Sequence, residues 1–306
     1  MKLPPALAAI VEKHASEIDG RRNALTSVEP IGGGCINQAA RLHFTSGLTA
    51  FLKWNRSAPR NMFQREAEGL TALGATKTLR VPEVLLWGDL SGEGLVPGFL
   101  LLEDIAASDH KPNPRIRDFD DLLGKGLAAM HALPAPYFGF SHDNYIGSTP
   151  QLNQPMETWA DFFRERRLLP IIERLRETGK ISDDVAEWAS RCSEKATEHL
   201  RQVSEGPSLV HGDLWGGNVM SDGDGRPALI DPACYYGHRE VDLAMTELFG
   251  GFSAKFRAAY EAAYPLENGY ALRRDIYNLY HVLNHAHLFG GGYWSQAKSI
   301  LNRFDD

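Results

Sequence analysis

The residues best suited to chemistry lie in one stretch, His211-Gly212-Asp213-Leu214-Trp215-Gly216-Gly217-Asn218. An Asp followed five positions later by an Asn is the spacing that phosphoryl-transfer loops use. The carboxylate takes the proton of an attacking hydroxyl, and the Asn binds magnesium. Both groups must reach one phosphate from one tight loop, and Gly216-Gly217 frees the backbone for that turn. Asp231 follows Asp213 by 18 residues, at the end of the apolar run Ala228-Leu229-Ile230. A carboxylate there supplies a second ligand of the kind Mg2+ takes alongside phosphate oxygens. Upstream, Gly32-Gly33-Gly34 stands between two strand-like runs, where bare backbone N–H groups can approach phosphates. Lys53 lies in the apolar run Phe51-Leu52-Lys53-Trp54. A lysine there is costly to bury unless a carboxylate pairs with it. Glu66 is the candidate partner, with Glu68 beside it, and the pair would hold Lys53 against the α- and β-phosphates. Phe99 to Leu102 leads into Glu103-Asp104-Ile105, a segment placed to hydrogen-bond adenine through its backbone. Trp215, inside the 211–218 loop, packs in the core or forms one wall of an acceptor site, and Asp242 is a candidate brace for the loop or a simple N-terminal helix carboxylate.

Two kinds of architecture must position these groups. Leu3, Leu7, Ile10, Val11, His14 and Ile18 recur at helical spacing, and Gly20 ends the run. Strand patterns follow over 26–31, 37–44 and 48–54, then a helix over 62–73, then strands over 84–87 and 99–102. This pattern predicts an N-terminal nucleotide-binding lobe, residues 1–103, with an antiparallel sheet and one main helix. From 104 to 306 helical patterns dominate, over 119–131, 158–176, 183–203, 241–249 and 273–289. This second lobe carries the catalytic and substrate-binding loops. Its exception is 208–232, where Leu209-Val210 runs into the glycine-rich loop and Asp222-Gly223-Asp224-Gly225 turns between two short strands. Residues 132–155 have no period and read as a long loop, functional or disordered. The predicted class is α+β.

Composition narrows the function. The chain has 306 residues, 43% hydrophobic and 23% charged, enough for a large core of its own. No apolar run reaches the roughly 18 residues of a membrane span. Residues 1–10 lack a secretory pattern. Three widely spaced cysteines, Cys35, Cys192 and Cys234, argue against a disulfide framework, so a cytoplasmic location is expected. Cys35, directly after the glycines, is the thiol best placed to react. A net charge of −7 argues against nucleic-acid and membrane partners. Residues 1–104 carry 11 basic and 11 acidic side chains, so the whole excess lies in the lobe that would hold the acceptor. Much of it is solvated surface, though it also suits a cationic acceptor. His281, His285 and His287 have partial metal spacing, but no Glu follows His281 as in zinc-hydrolase helices, and they read as helix packing.

The order of glycine loop, Lys53, Glu66, residues 103–105, Asp213, Asn218 and Asp231 resembles the two-lobed protein-kinase-like fold in its small-molecule branch. Gly212 precedes Asp213 where protein kinases carry Arg, and Asp231-Pro232-Ala233 stands in place of Asp-Phe-Gly. More narrowly, the chain resembles the fructosamine kinase (ketosamine-3-kinase) family. The carrying segments are 32–37, Met62-Phe63 with Glu66, 143–147 with 151–153, 159–168, 211–218, 231–240 and 279–290. Trp215 and Tyr236-Gly237-His238-Arg239-Glu240 set it apart from aminoglycoside and choline kinases. The resemblance implies ATP and Mg2+ as cofactors, with Asp213 as the catalytic residue and Asn218 and Asp231 as metal ligands. It implies a nucleotide site built from Gly32, Gly33, Gly34, Lys53, Glu66, Glu103, Asp104 and Ile105. It implies phosphorylation of the 3-hydroxyl of a ketosamine, small or carried on a glycated protein lysine, followed by loss of the sugar, in a monomer or homodimer. The residues alone leave open another small-molecule kinase of the aminoglycoside or choline type, and a nucleotide-binding pseudokinase.

Overall fold

The computed structural model describes residues 2–32, 37–91, 96–105 and 118–305, which fall into two compact units. The first comprises residues 1–119 and 220–231; the second comprises 120–219 and 232–306. A boundary at 103/104 would leave 220–231 with the helical part. That segment joins the first unit because Leu229 N–H donates to Arg80 O (2.9 Å) and Gly223 N–H to Ile105 O (3.1 Å).

In the first unit, α1 (Pro5–Asp19) ends at Gly20, whose φ of 67° needs no Cβ clearance. The strands β1 (Leu25–Ile31), β2 (Gln38–Phe44), β3 (Thr49–Asn55), β4 (Val84–Gly88) and β5 (Gly98–Glu103) form one sheet in the order β1-β2-β3-β5-β4. Each neighbouring pair is antiparallel. Alternation along β3 sends Ala50, Leu52 and Trp54 into a core with Leu7, Val11 and Ala15 of α1. Burying each of the larger of these side chains contributes roughly 1.5–3 kcal/mol. The same alternation turns Lys53 to the opposite face. There α2 (Met62–Ala75), inserted between β3 and β4, buries Phe63, Ala67 and Leu70. Two further strands, β9 (Val219–Ser221) and β10 (Pro227–Leu229), pair across a turn in which Asp222 Oδ1 accepts from Asp224 N–H and Arg226 N–H.

The second unit is mainly helical. Its helices are α3 (Phe119–His131), α4 (Trp159–Phe163), α5 (Leu169–Glu177), α6 (Asp183–Glu198), α7 (Glu240–Leu248), α8 (Ala254–Ala263), α9 (Tyr270–Phe289) and α10 (Tyr293–Leu301). The helix expected over 158–176 is divided by a π-turn at Arg164–Leu168, which carries the buried Arg167. Residues 132–155 are not an unstructured loop. They form the hairpin β6 (Asn144–Ile146) and β7 (Thr149–Gln151), and Gly139 exchanges two backbone hydrogen bonds with Tyr236. The partners of that segment lie about ninety residues ahead, so no local period marks it. No helix among the described residues is long and apolar enough to cross a membrane.

A buried ionic network ties α7 to the chain around it. Arg239 donates to both Glu205 oxygens (2.7 and 2.6 Å) and to Tyr260 Oη (3.1 Å). Arg273 grips Glu240 with two bonds of 2.7 Å. Burial favours the neutral form of Glu205, but hydrogen bonds from His238 and Arg239 outweigh it and hold its pKa at about 2, against an ordinary 4.5. The lowered value means that its stabilising contribution is complete above pH 4.5 and is lost as pH falls toward 2. Glu205→Gln should therefore lower Tm at neutral pH and flatten the acid limb of the Tm–pH curve. Parallel acid limbs for both proteins, in thermal denaturation from pH 7 to 2, would refute this.

Candidate active site

Strand alternation brings Lys53 to α2, where its Nζ donates to Glu66 Oε1 at 2.7 Å. Asp231, two residues beyond β10, is its second partner. The Lys53 side chain is 8% exposed. Burial opposes its charge, but Asp231 and Glu66 together outweigh that and push its pKa up, so the ammonium persists at neutral pH. Burial also raises the pKa of Glu66, with Lys53 acting against it. Asp231 has a φ of 55°, a left-handed conformation that non-glycine residues adopt infrequently and that often marks functional positions.

Glu103 closes β5, accepts from Glu83 N–H (3.2 Å) and pairs with Arg80. Asp104 pairs with Arg41. These side chains are engaged within the unit. Gly32 follows β1; Gly33, Gly34 and Cys35 lie outside the described residues.

In the second unit, β8 (Ser208–Val210) pairs antiparallel with β11 (Tyr235–Gly237), and the 211–218 loop leaves the end of β8. Asp242, in the first turn of α7, holds that loop. Its carboxylate accepts from His211 N–H (2.7 Å) and Gly212 N–H (2.9 Å) and meets His131 Nε2 at 3.1 Å. Burial disfavours its charge, yet the bonds from His131 and Gly212 keep its pKa below the usual carboxylate range. Gly212 sits at φ 81°, and a Cβ there would lie 2.1 Å from Ala233 O. Asp213 is partly buried. Asn218 Nδ2 donates to Asp213 O (2.8 Å) and Asp213 Oδ2 (3.2 Å), so the atom it can turn toward a cation is its oxygen. The Trp215 ring is 41% exposed and folds over Gly217, where a Cβ would meet it at 2.2 Å.

A second layer supports residues 232–235. Gln151 Nε2 donates to Ala233 O (3.1 Å) and Asn144 Nδ2 to Cys234 O (2.8 Å). Ala233 N–H in turn donates to His211 O at 2.9 Å. Arg167 donates to Asn153 Oδ1 (2.9 Å) and stacks over Tyr235 at 3.9 Å. Sequence reasoning picked out segment 143–153 by resemblance without assigning it this role, and it passed over His131 and Arg167. No spacing marks them, since their partners lie on other elements. His285 Nδ1 donates to His281 O (2.8 Å), which commits one ring nitrogen of that pair to the helix backbone.

The first unit thus carries an anchored ammonium with two carboxylates on it, and the second a carboxylate beside an amide on a loop that Asp242 holds. The protein has the protein-kinase-like fold of small-molecule phosphotransferases. A thermostable mutant of an aminoglycoside phosphotransferase superposes with a TM-score of 0.60 at 16% identity, over 95% of this chain and 98% of that one. The family is narrower: the fructosamine kinase profile matches residues 7–305, and the chain belongs to that family. A Synechocystis sp. protein assigned as a ketoamine kinase is 40% identical, over 98% of this chain and 97% of that protein. The chloroplastic protein-ribulosamine 3-kinase of Arabidopsis thaliana is 38% identical, over 98% and 90%. A crystal structure from Haemophilus somnus, assigned as a fructosamine-3-kinase, superposes with a TM-score of 0.83 at 28% identity and 96% coverage of both chains.

Proposed function

We propose that this protein transfers the γ-phosphoryl group of ATP to the 3-hydroxyl of ketosamines, with fructosyl- and ribulosyl-amines as acceptors. The observation that carries this reading is a match to the fructosamine kinase family over residues 7–305 in a chain that keeps Lys53, Glu66, Asp213, Asn218 and Asp231. The acceptor oxygen attacks the γ-phosphorus, its proton passes to Asp213, and the bond to the leaving ADP oxygen breaks. Lys53, positioned by Glu66, binds the α- and β-phosphates. The Asn218 oxygen and the Asp231 carboxylate fit Mg2+, which when bound neutralises phosphate charge. Gly32, Gly33 and Gly34 would cover the phosphates, the 103–105 backbone would hold adenine, and Trp215 would line the sugar. A phosphate on carbon 3 is next to the carbon that carries the ketone. Enolisation toward the amine-bearing carbon expels it, and hydrolysis then frees the amine, so the product step reverses glycation.

The test is Mg-ATP turnover with fructosyl- and ribulosyl-lysine beside free fructose, choline and an aminoglycoside. Phosphorus NMR should place the ester on carbon 3, and incubation should release the free amine. A stable ester elsewhere, or preference for the aminoglycoside, would overturn the reading. Lys53→Ala should raise KM for ATP at least about tenfold, the scale of a lost charge-assisted phosphate contact. Glu66→Ala should produce the same defect more mildly. ATP kinetics unchanged in Lys53→Ala would remove the phosphate role.

A further inference from the structure

The described residues leave eight large hydrophobic side chains exposed, and Trp215, Phe249 and Phe289 are three of them. Phe249 follows α7, and its ring lies 4.8 Å from that of His285. His285 also meets Phe289 at 5.4 Å and Tyr293 at 5.1 Å, and Phe249 stands edge-on to Tyr293. The group is continuous with the catalytic loop. Gly250 and Gly251, both at positive φ, bring the chain back against Gly216, where a Cβ would lie 3.4 Å from Gly251 Cα.

The chemistry of this group suits a cation. Three of its rings present π-faces or edges, and aromatic groups bind ammonium ions through the ring quadrupole. Because His285 Nδ1 donates to His281 O, the neutral ring carries its lone pair on Nε2, an acceptor for an ammonium N–H. Burial lowers the pKa of His285, which keeps that ring neutral at pH 7. The C-terminal turn of α7 ends at the group, and helix C-termini favour cations. The end of α9 already carries its cation, since Lys180 donates to the carbonyls of Ala286 and His287, so the helix-end contribution comes from α7. The acceptor assigned under Proposed function has a feature no free sugar has, a secondary ammonium one carbon from its ketone.

We infer that Phe249, His285, Phe289 and Tyr293 form the subsite for the substituted ammonium of the acceptor, a specificity device that separates ketosamines from uncharged ketose derivatives. This rests on the ketosamine kinase reading and is tested separately from it. The probes are fructosyl-butylamine and 1-O-butyl-fructose, which differ only in the charged amine, assayed with Mg-ATP on the full chain. Wild-type protein should favour the amine in kcat/KM by at least about tenfold, the scale of desolvated cation–π recognition. The pair Phe249→Leu with Phe289→Leu keeps apolar volume but removes two rings. It should shrink that preference to within about threefold, while Phe289→Tyr keeps it. KM for ATP should not move in either variant, which reports an intact fold. An undiminished preference in the double variant would overturn the subsite and leave the kinase reading standing. A wild-type protein with no turnover on fructosyl-butylamine would overturn both.

Discussion

Asp213→Ala lowers kcat on a ketosamine by at least about a hundredfold, the lower range for a positioned acid–base group. It leaves ATP affinity nearly unchanged. The selectivity of that expectation comes from how the loop is held. Asp242 fixes it through the backbone N–H groups of His211 and Gly212, and Asn218 keeps its 2.8 Å bond to the main-chain carbonyl of residue 213. Alanine removes the carboxylate and with it the 3.2 Å contact to Asn218 Nδ2. Lys53, Glu66 and Asp231 form a separate set in the other unit. The measurements are steady-state turnover and direct titration of nucleotide binding. Turnover near the wild-type rate would exclude Asp213 as the base, and a matching loss of ATP affinity would move its role to nucleotide binding.

The sheet of the first unit was legible because its strands are short alternating or continuously apolar runs bounded by turn residues, and both are local properties. The predicted runs 26–31, 37–44, 48–54, 84–87 and 99–102 agree with β1 to β5 within a residue or two at each end. α9 was legible from 273, although the helix begins at Tyr270 after the left-handed Gly269. What escaped reading depends on partners far along the chain. β6, β7 and β11 are three residues each, too short for any period, and they exist because Gly139, Asn144 and Gln151 bond to residues 233–236. α8 and α10 are short, ten and nine residues, which gives a helical period little length over which to repeat.

The same division runs through the candidate site. Lys53 and Glu66 could be paired from sequence because a lysine among Phe51, Leu52 and Trp54 demands a carboxylate, and the structure supplies Glu66 at 2.7 Å. That Asp231 pairs with the same ammonium was not legible, since residues 220–231 pack with the first unit despite their place in the sequence. Asp242 could be suspected as a brace from its place at the start of a helix after Asp231. Its full set of partners could not, because His131 reaches it from a helix 111 residues earlier. Arg167 is the clearest miss. Charged residues in a helical pattern read as solvated, yet this one is fully buried, held by the carbonyl of Leu152, Asn153 and the face of Tyr235.

Gly212→Ala should be the most damaging single-methyl change in the loop. Two costs add. The φ of 81° places an alanine in the left-handed region, a penalty of about 1–2 kcal/mol. Its Cβ would also stand 2.1 Å from Ala233 O and 2.9 Å from Ala233 C, both backbone atoms. That carbonyl cannot retreat freely, because Gln151 donates to it and the N–H of the same residue donates to His211 O. Relieving such an overlap costs a further ~1–3 kcal/mol. The total, about 2–5 kcal/mol, corresponds to a fall in Tm on the order of 4–20 °C for a unit of this size. Any shift of the loop also moves Asp213, and a displacement near 1 Å can cost about a hundredfold in rate. Gly225→Ala separates the two costs. Gly225 has a φ of 86° but nothing within 4 Å of its Cβ position, so it carries the conformational penalty alone. Thermal denaturation and turnover of both variants decide the matter: Gly225→Ala should lose only the conformational ~1–2 kcal/mol and almost no activity. Equal losses would mean that the contact with Ala233 is not what requires glycine before Asp213.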